Sequence, residues 1–147
     1  MKAEEKQLLL KDLCSRLPYN VIVEYGVKYE GRDLGEKKGK LTGRMLDSYF
    51  YNITVGLSDV YSIKPYLRPM SSMTEEEKKE LKEVLSPQGT AIYECNGISI
   101  PLSHFGEFVP YEYMGRVICW LNAHHFDYSG LIEKGLALEA LEDMYND

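Results

Sequence analysis

The spacing of apolar positions changes period along this chain, and each change marks an element. Over residues 3–17, Leu10, Leu13, Cys14 and Leu17 recur at i, i+3, i+4 and i+7, one apolar stripe that predicts a helix. Asp12 and Arg16 stand one turn apart and are expected to pair on its other side. Pro18 stops the helix. Residues 20–64 read as β instead. Val21-Ile22-Val23-Glu24-Tyr25 is rich in β-branched and aromatic residues, and Tyr49-Phe50-Tyr51-Asn52-Ile53-Thr54-Val55 reads as the clearest strand. Lys40-Leu41-Thr42 and Arg44-Met45-Leu46 flank Gly43, and Val60-Tyr61-Ser62-Ile63 is a further strand ended by Pro65. Gly26, Gly31, Gly35, Gly39 and Gly43 predict bulges and sharp bends, not long flat strands. One helix followed by about four or five short, bent strands is the element order of a small antiparallel β barrel of the SH3 or Sm type, and an order alone carries no function.

Residues 65–73 read as an extended strap, because Pro65 and Pro69 hold the residues before them in β or polyproline geometry. Thr74 and Glu77 then form a capping box for a solvated surface helix that runs to about Leu85. Ala91-Ile92-Tyr93-Glu94-Cys95 and Ile98-Ser99-Ile100 flank Asn96-Gly97, a strong hairpin signal. Residues 112–124 predict a helix with Met114, Val117, Ile118 and Leu121 on its stripe, and Gly130 to Met144 predicts short helical pieces. The expected class is therefore α+β: an N-terminal helix, a small, strongly bent antiparallel barrel, a surface helix, a hairpin and a helical C-terminal part. One compact domain, 1–147, is expected, with subregions 1–73 and 74–147.

Composition changes this picture little. A length of 147 residues suits one domain of roughly 100–150. The 12 Tyr against 4 Phe and 1 Trp suit half-buried strands and interfaces. Cys14, Cys95 and Cys119 are odd in number and contain no Cys-x-x-Cys, which argues against a disulfide framework or a Cys-rich zinc site. They read as buried thiols in a reducing compartment. Leu8-Leu9-Leu10 is too short for a signal-peptide core, and no run approaches the ~20 apolar residues of a membrane span. A cytoplasmic protein is expected. Residues 1–73 carry 12 Lys+Arg against 9 Asp+Glu, and residues 74–147 carry 5 against 14, so the net charge of -6 hides a local basic excess.

Candidate chemistry lies in two places. His124-His125-Phe126-Asp127, after Trp120 and Asn122, holds metal-ligand and acid–base types, so His124, His125 and Asp127 are a candidate metal set, with His104 as a possible further ligand. Adjacent side chains on a helix diverge by about 100°, and histidines near a helix C-terminus also complement its dipole and free carbonyls. The second place is basic. Lys28, Arg32, Lys37, Lys38, Lys40 and Arg44 lie among Tyr25, Tyr29, Tyr49 and Tyr51, a mixture that suits single-stranded nucleic acid. Lys37, Lys38, Lys40, Tyr49 and Tyr51 are its candidate residues. Glu30, Asp33 and Glu36 interleave with them, and lysines also protect edge strands. Neither Gly-x-Ser-x-Gly nor a phosphate-binding glycine loop occurs. No catalytic residue and no cofactor are expected.

Three stretches carry a resemblance: Leu8 to Tyr19 (LLLKDLCSRLPY), Ile63 to Glu77 (IKPYLRPMSSMTEEE) and Trp120 to Ala140 (WLNAHHFDYSGLIEKGLALEA). Together they resemble a family of uncharacterised proteins from gut anaerobic bacteria and their prophages. The resemblance implies a phage or mobile-element setting and brings no activity, cofactor or site residue with it. Tyr66 and Arg68, on the proline-stiffened strap, are of the types favoured as interface anchors. The expectation is a non-enzymatic accessory protein that binds another protein. A nucleic-acid-binding barrel and a metal-dependent enzyme are the alternatives.

Overall fold

The computed structural model describes residues 1–51, 58–85, 92–95, 98–101 and 111–146. The chain divides into two compact units: 1–68 together with 129–147, and 69–128. The expected subregions, 1–73 and 74–147, do not coincide with these units, because residues 129–147 close the first one.

The first unit opens with α1 (Ala3–Arg16). Its buried face is Leu9, Asp12, Leu13 and Arg16, which keeps the expected spacing but shifts it by one residue. Three consecutive leucines leave the phase of a stripe ambiguous, and the long apolar stem of Arg16 packs as part of it. The shift turns Cys14 out to solvent, so this thiol is exposed, not packed. It also carries the Asp12–Arg16 pair inside, against the expectation of a pair on the polar side. Arg16 donates to Asp12 through Nε at 2.7 Å and Nη2 at 3.0 Å, and the two side chains are 0% and 2% exposed.

β1 (Ile22–Tyr29) and β2 (Arg32–Lys40) form a hairpin with Tyr29 opposite Arg32. Glu30 and Gly31, at φ 46° and 75°, make the tight turn that such a connection needs. α2 (Gly43–Tyr51) follows, where strands were expected at 44–46 and 49–55. Thr42 Oγ accepts the Met45 N–H at 3.3 Å and starts the helix. Leu46 and Tyr49, one turn apart, enter the core. Local aromatic content favoured a strand; packing of a helical face overrode it. Residues 52–55 of the expected strand lie outside the described residues.

β3 (Ser58–Leu67) does not stop at Pro65 but passes through it. The hydrogen-bond phase explains why. Leu41 N–H donates to Val21 C=O at 2.9 Å, and Ile22 pairs with Lys40. In an antiparallel ladder this places the backbone groups of Val21, Val23 and Tyr25 toward β2, and those of Ile22, Glu24 and Gly26 toward β3. Val23 lies opposite Pro65, so the nitrogen of Pro65 faces away from β1 and costs that ladder nothing. The final stretch, expected to be helical, instead forms turns and β6 (Leu138–Glu139), which pairs in parallel with Tyr66 and Leu67. Gly130 and Gly135, at φ 68° and 72°, are incompatible with one continuous helix. Ala140 N–H adds a bond to Leu67 C=O at 2.8 Å.

The sheet order is β2-β1-β3-β6, irregular at Gly26, and it curls over a core that includes Leu9, Leu13, Val23, Ile63, Leu67 and Leu131. The mixed α and β class with a leading helix is as expected; α2 interrupts the run of strands that an SH3 or Sm order requires. At the open end of the β1–β3 ladder, Tyr145 acts as a wedge. Its hydroxyl accepts the Ile22 N–H at 3.0 Å and donates to Tyr66 C=O at 2.7 Å, in place of the next direct rung.

The second unit contains α3 (Glu75–Leu85), β4 (Ile92–Cys95), β5 (Ile98–Pro101) and α4 (Tyr111–Ala123). The Thr74 box forms as the sequence predicts: Thr74 N–H donates to Glu77 Oε2 at 3.0 Å, and Glu77 N–H to Thr74 Oγ at 3.1 Å. β4 and β5 pair antiparallel with Cys95 opposite Ile98. The expected strap is divided, since 65–67 belong to β3 and Met70–Ser72 is a 3-10 turn. The core joins Met73, Leu81, Val117, Trp120, Leu121 and Phe126. Ile118 and Cys119 are exposed, so the buried stripe of α4 is shifted from the expected one, and the packed-thiol expectation fails here too. No helix among the described residues is long and apolar enough to cross a membrane.

Candidate binding face

The face of the sheet away from the core of the first unit carries its densest chemistry. Val23 and Tyr25 face the core side, so Glu24, Gly26 and, past the irregularity, Lys28 of β1 line the other. The register adds Lys38 and Glu36 from β2 and Lys64 and Ser62 from β3. Two units of the same composition form there. Lys28 Nζ lies 4.9 Å from the centroid of the Tyr61 ring, whose hydroxyl donates to Asp33 at 3.3 Å. Lys38 Nζ lies 4.7 Å from the centroid of the Tyr66 ring, whose hydroxyl donates to Glu24 Oε2 at 3.1 Å. Each is an ammonium over an aromatic face beside a carboxylate, an attraction of about 0.5–1 kcal/mol at exposed sites. Desolvation against the sheet, then the charge of Asp33, pushes the Tyr61 hydroxyl up. Desolvation, then the bond to Glu24, does the same for Tyr66.

Gly26 makes the first unit possible. A Cβ there would run into Tyr61 and come 2.7 Å from Ser62 Oγ, so the ring lies where a side chain would otherwise stand. The amide of Gly26 donates to that Oγ at 3.1 Å. A glycine inside a strand signals such a close approach. The partnership of Tyr61 with Lys28 and Asp33 could not be read from the sequence, because it depends on the register across β1, β2 and β3.

The two edges of the sheet differ. On β3 the outer edge is blocked at three places: Ser48 Oγ of α2 accepts the Val60 N–H at 3.0 Å, Pro65 offers no N–H, and β6 covers Tyr66 and Leu67. On β2, pairing among the described residues is with β1 alone. Every residue of β2 is exposed except half-buried Gly39. Lys37, Lys38 and Lys40 all lie on this strand, with Lys38 and Lys40 on the outer face and Lys37 on the other. Tyr49, expected beside them as a stacking ring, is 7% exposed in the core, and burial pushes its hydroxyl up. Tyr51 ends α2, and its side chain lies outside the described residues. Tyr66 joins the outer face; Arg68 is half-buried just past β3.

The histidines serve the end of α4. His125 sits at φ 63°. His125 N–H donates to Asn122 C=O at 3.1 Å and Phe126 N–H to Leu121 C=O at 2.9 Å, a left-handed helix cap of the Schellman type. His124 stacks on Trp120, with centroids 3.9 Å apart, and its Nδ1–H donates to Trp120 C=O at 2.9 Å. Its Nε2 stands 4.0 Å from Glu80. His124, His125 and Asp127 do not converge: among the described residues no group of three or more His, Cys, Asp or Glu could hold a metal. His104 lies outside the described residues. Comparison of the chain with protein-family models, curated proteins and solved structures returns no match.

Proposed function

We propose that this is a non-enzymatic interaction protein that recognises another protein through its β1–β2 hairpin. The observation behind this reading is exposure. A strand in a packed sheet normally buries at least one face, whereas β2 is open on both. Tyr29 and Leu34, near the turn, are 50% and 52% exposed. Exposed apolar side chains at this end of so open a hairpin favour a macromolecular partner. A cytoplasmic accessory role of the phage or prophage type belongs to the same proposal, with a host protein as the partner. The test is capture from bacterial lysate in the presence of nuclease, with the wild type beside a Tyr29→Ser/Leu34→Ser variant. A protein held by the wild type and lost from the variant is the expected result. Equal capture by both would remove the hairpin from the function.

The two ammonium-over-tyrosine units favour a second reading, single-stranded nucleic acid on the outer face. Swung aside, Lys28 and Lys38 would expose rings for base stacking and supply charge for phosphate. Binding would then weaken with salt and with combined replacement of Lys37, Lys38 and Lys40 by Ala. Binding indifferent to both would exclude it. Glu24, Asp33 and Glu36 on or beside this face weigh against it.

A further inference from the structure

We propose that the free edge of β2 takes up an extended, acidic segment of the partner protein as an added strand. This rests on the reading of the hairpin as a recognition arm and names its chemistry. The argument starts from the phase of the ladder. Because Leu41 donates to Val21, Gly39 and Lys37 direct their backbone groups to β1. Lys40, Lys38 and Glu36 direct theirs the other way, to an edge with no strand on it among the described residues. Strand addition needs such a row of donors and acceptors. The outer side of β3 lacks it, being blocked by Ser48, Pro65 and β6. An edge left open on one side and closed by three separate devices on the other is a binding feature.

Charge selects the occupant. Lys37, Lys38 and Lys40 stand together, with no acidic residue from 37 to 40. A strand laid beside them gains by placing carboxylates opposite, and a basic strand is repelled. At the turn end the same edge passes exposed Leu34, which suits an apolar residue. The occupant is therefore a segment with acidic residues at alternate positions followed by an apolar one. Two copies of β2 are the competing occupant: a pair centred on Gly39 sets Lys38 against Lys40 and is repelled, while one centred on Lys37 sets Lys38 opposite Glu36. Sedimentation of the wild type therefore accompanies the test, and a dimer that the acidic peptide does not dissociate would overturn the proposal.

The test uses the whole chain and a labelled peptide of about ten residues, the upper length of ordinary strands, with Glu alternating with Thr or Val and a terminal Leu. Its counterpart replaces Glu with Lys. Fluorescence anisotropy is read for wild type, Lys38→Pro and Lys38→Thr. Proline removes the N–H aimed at the free edge but none aimed at β1, so the hairpin persists; threonine removes the same charge and keeps the N–H. Lys40→Pro, whose N–H faces the same edge, is a second, independent variant. Binding of the acidic peptide at least about tenfold tighter than the basic one is expected. A further loss of at least about tenfold is expected in either proline variant relative to Lys38→Thr, from one edge hydrogen bond and the clash of the ring. Equal binding by Lys38→Pro and Lys38→Thr would overturn strand addition while leaving the recognition arm intact. No preference between the peptides, or an oligonucleotide that displaces the acidic one from the proline variants unchanged, would overturn it too. Loss of lysate capture in the Tyr29→Ser/Leu34→Ser variant, combined with no peptide binding, would leave the arm and remove the acidic strand.

Discussion

Replacing Arg16 by Met is the most informative single perturbation of the first unit. The guanidinium grips Asp12 through two bonds of 2.7 and 3.0 Å, with the carboxylate 2% exposed. Met keeps the helix propensity and much of the apolar stem. What it takes away is the countercharge. Breaking a buried pair from one side costs about 3–5 kcal/mol. The unit spans about 90 residues, and folded proteins hold about 0.05–0.15 kcal/mol per residue, so its stability is about 4–13 kcal/mol. The loss is therefore between a quarter and the whole of it. Removing both partners behaves differently. Asp12→Leu/Arg16→Met fills the same space without charge, and such replacements are neutral or stabilising by about 1–4 kcal/mol. The assay is urea unfolding followed by circular dichroism, which reads α1 directly, whereas the single Trp120 lies in the other unit. A cost below about 1 kcal/mol for Arg16→Met, or a double variant as unstable as the single one, would refute the claim that the buried charge carries the effect.

Three further outcomes follow from local geometry. Tyr145→Phe removes the hydroxyl between Ile22 N–H and Tyr66 C=O and leaves both unpaired, at a cost of about 1–3 kcal/mol in the same unfolding assay. Burial pushes that hydroxyl up to about 12, against the opposing effects of the Ile22 bond and Arg16. The unfolded chain therefore releases the proton first; the contribution is complete below about pH 10 and is lost as pH rises to about 12, so the wild type weakens there by more than Tyr145→Phe does. Gly26→Ala should evict the Tyr61 ring and cost about 1 kcal/mol; in a Tyr61→Ala background it should cost less, the remainder being the approach to Ser62 Oγ, and strictly additive effects in the cycle would refute the contact with Tyr61. His124→Ala should change the emission of Trp120, because it removes the ring stacked on the indole at 3.9 Å; emission identical to the wild type would refute the stacking.

Legibility followed the range of the forces involved. The Thr74 box, the stop at Pro18 and the Asn96-Gly97 hairpin are set within a few residues, and the structure has the capping bonds, the end of α1 and the paired strands that those signals predict. The phase of α1 failed, because three leucines in a row suit two stripes and the choice depends on what packs against Asp12 and Arg16. Residues 49–51 failed for the opposite reason: their β-favouring side chains are helical because Leu46 and Tyr49 reach the core together. Pro65 looked like the end of a strand, yet a proline ends pairing only on the side its nitrogen faces, and that side is a matter of register. The candidate face divided along the same line. Lysines at 28 and 38 were visible, but their ring partners were not: the expected Tyr49 went inside, and Tyr61 and Tyr66 arrived from β3.

The lysines of β2 have a dual consequence that bears on why this edge exists at all. An open edge is a hazard, because any strand, including one from another copy, can pair with it. Blocking removes the hazard and the binding capacity together, as Ser48, Pro65 and β6 do on β3. Charge removes them unequally. Lys37, Lys38 and Lys40 repel any basic segment, and a second β2 in the register that sets Lys38 against Lys40, yet they attract an acidic segment, so the same residues deny the general reaction and permit a particular one. This separates protection from recognition by experiment. Exchanging all three lysines for glutamates makes the edge acidic from 36 onward and guards it against its own copy at least as well, so the variant should sediment no faster than the wild type. Its preference between the acidic and basic peptides should invert. A variant that sediments as the wild type does and keeps the original preference would mean that the lysines only guard the edge and that its selectivity resides elsewhere.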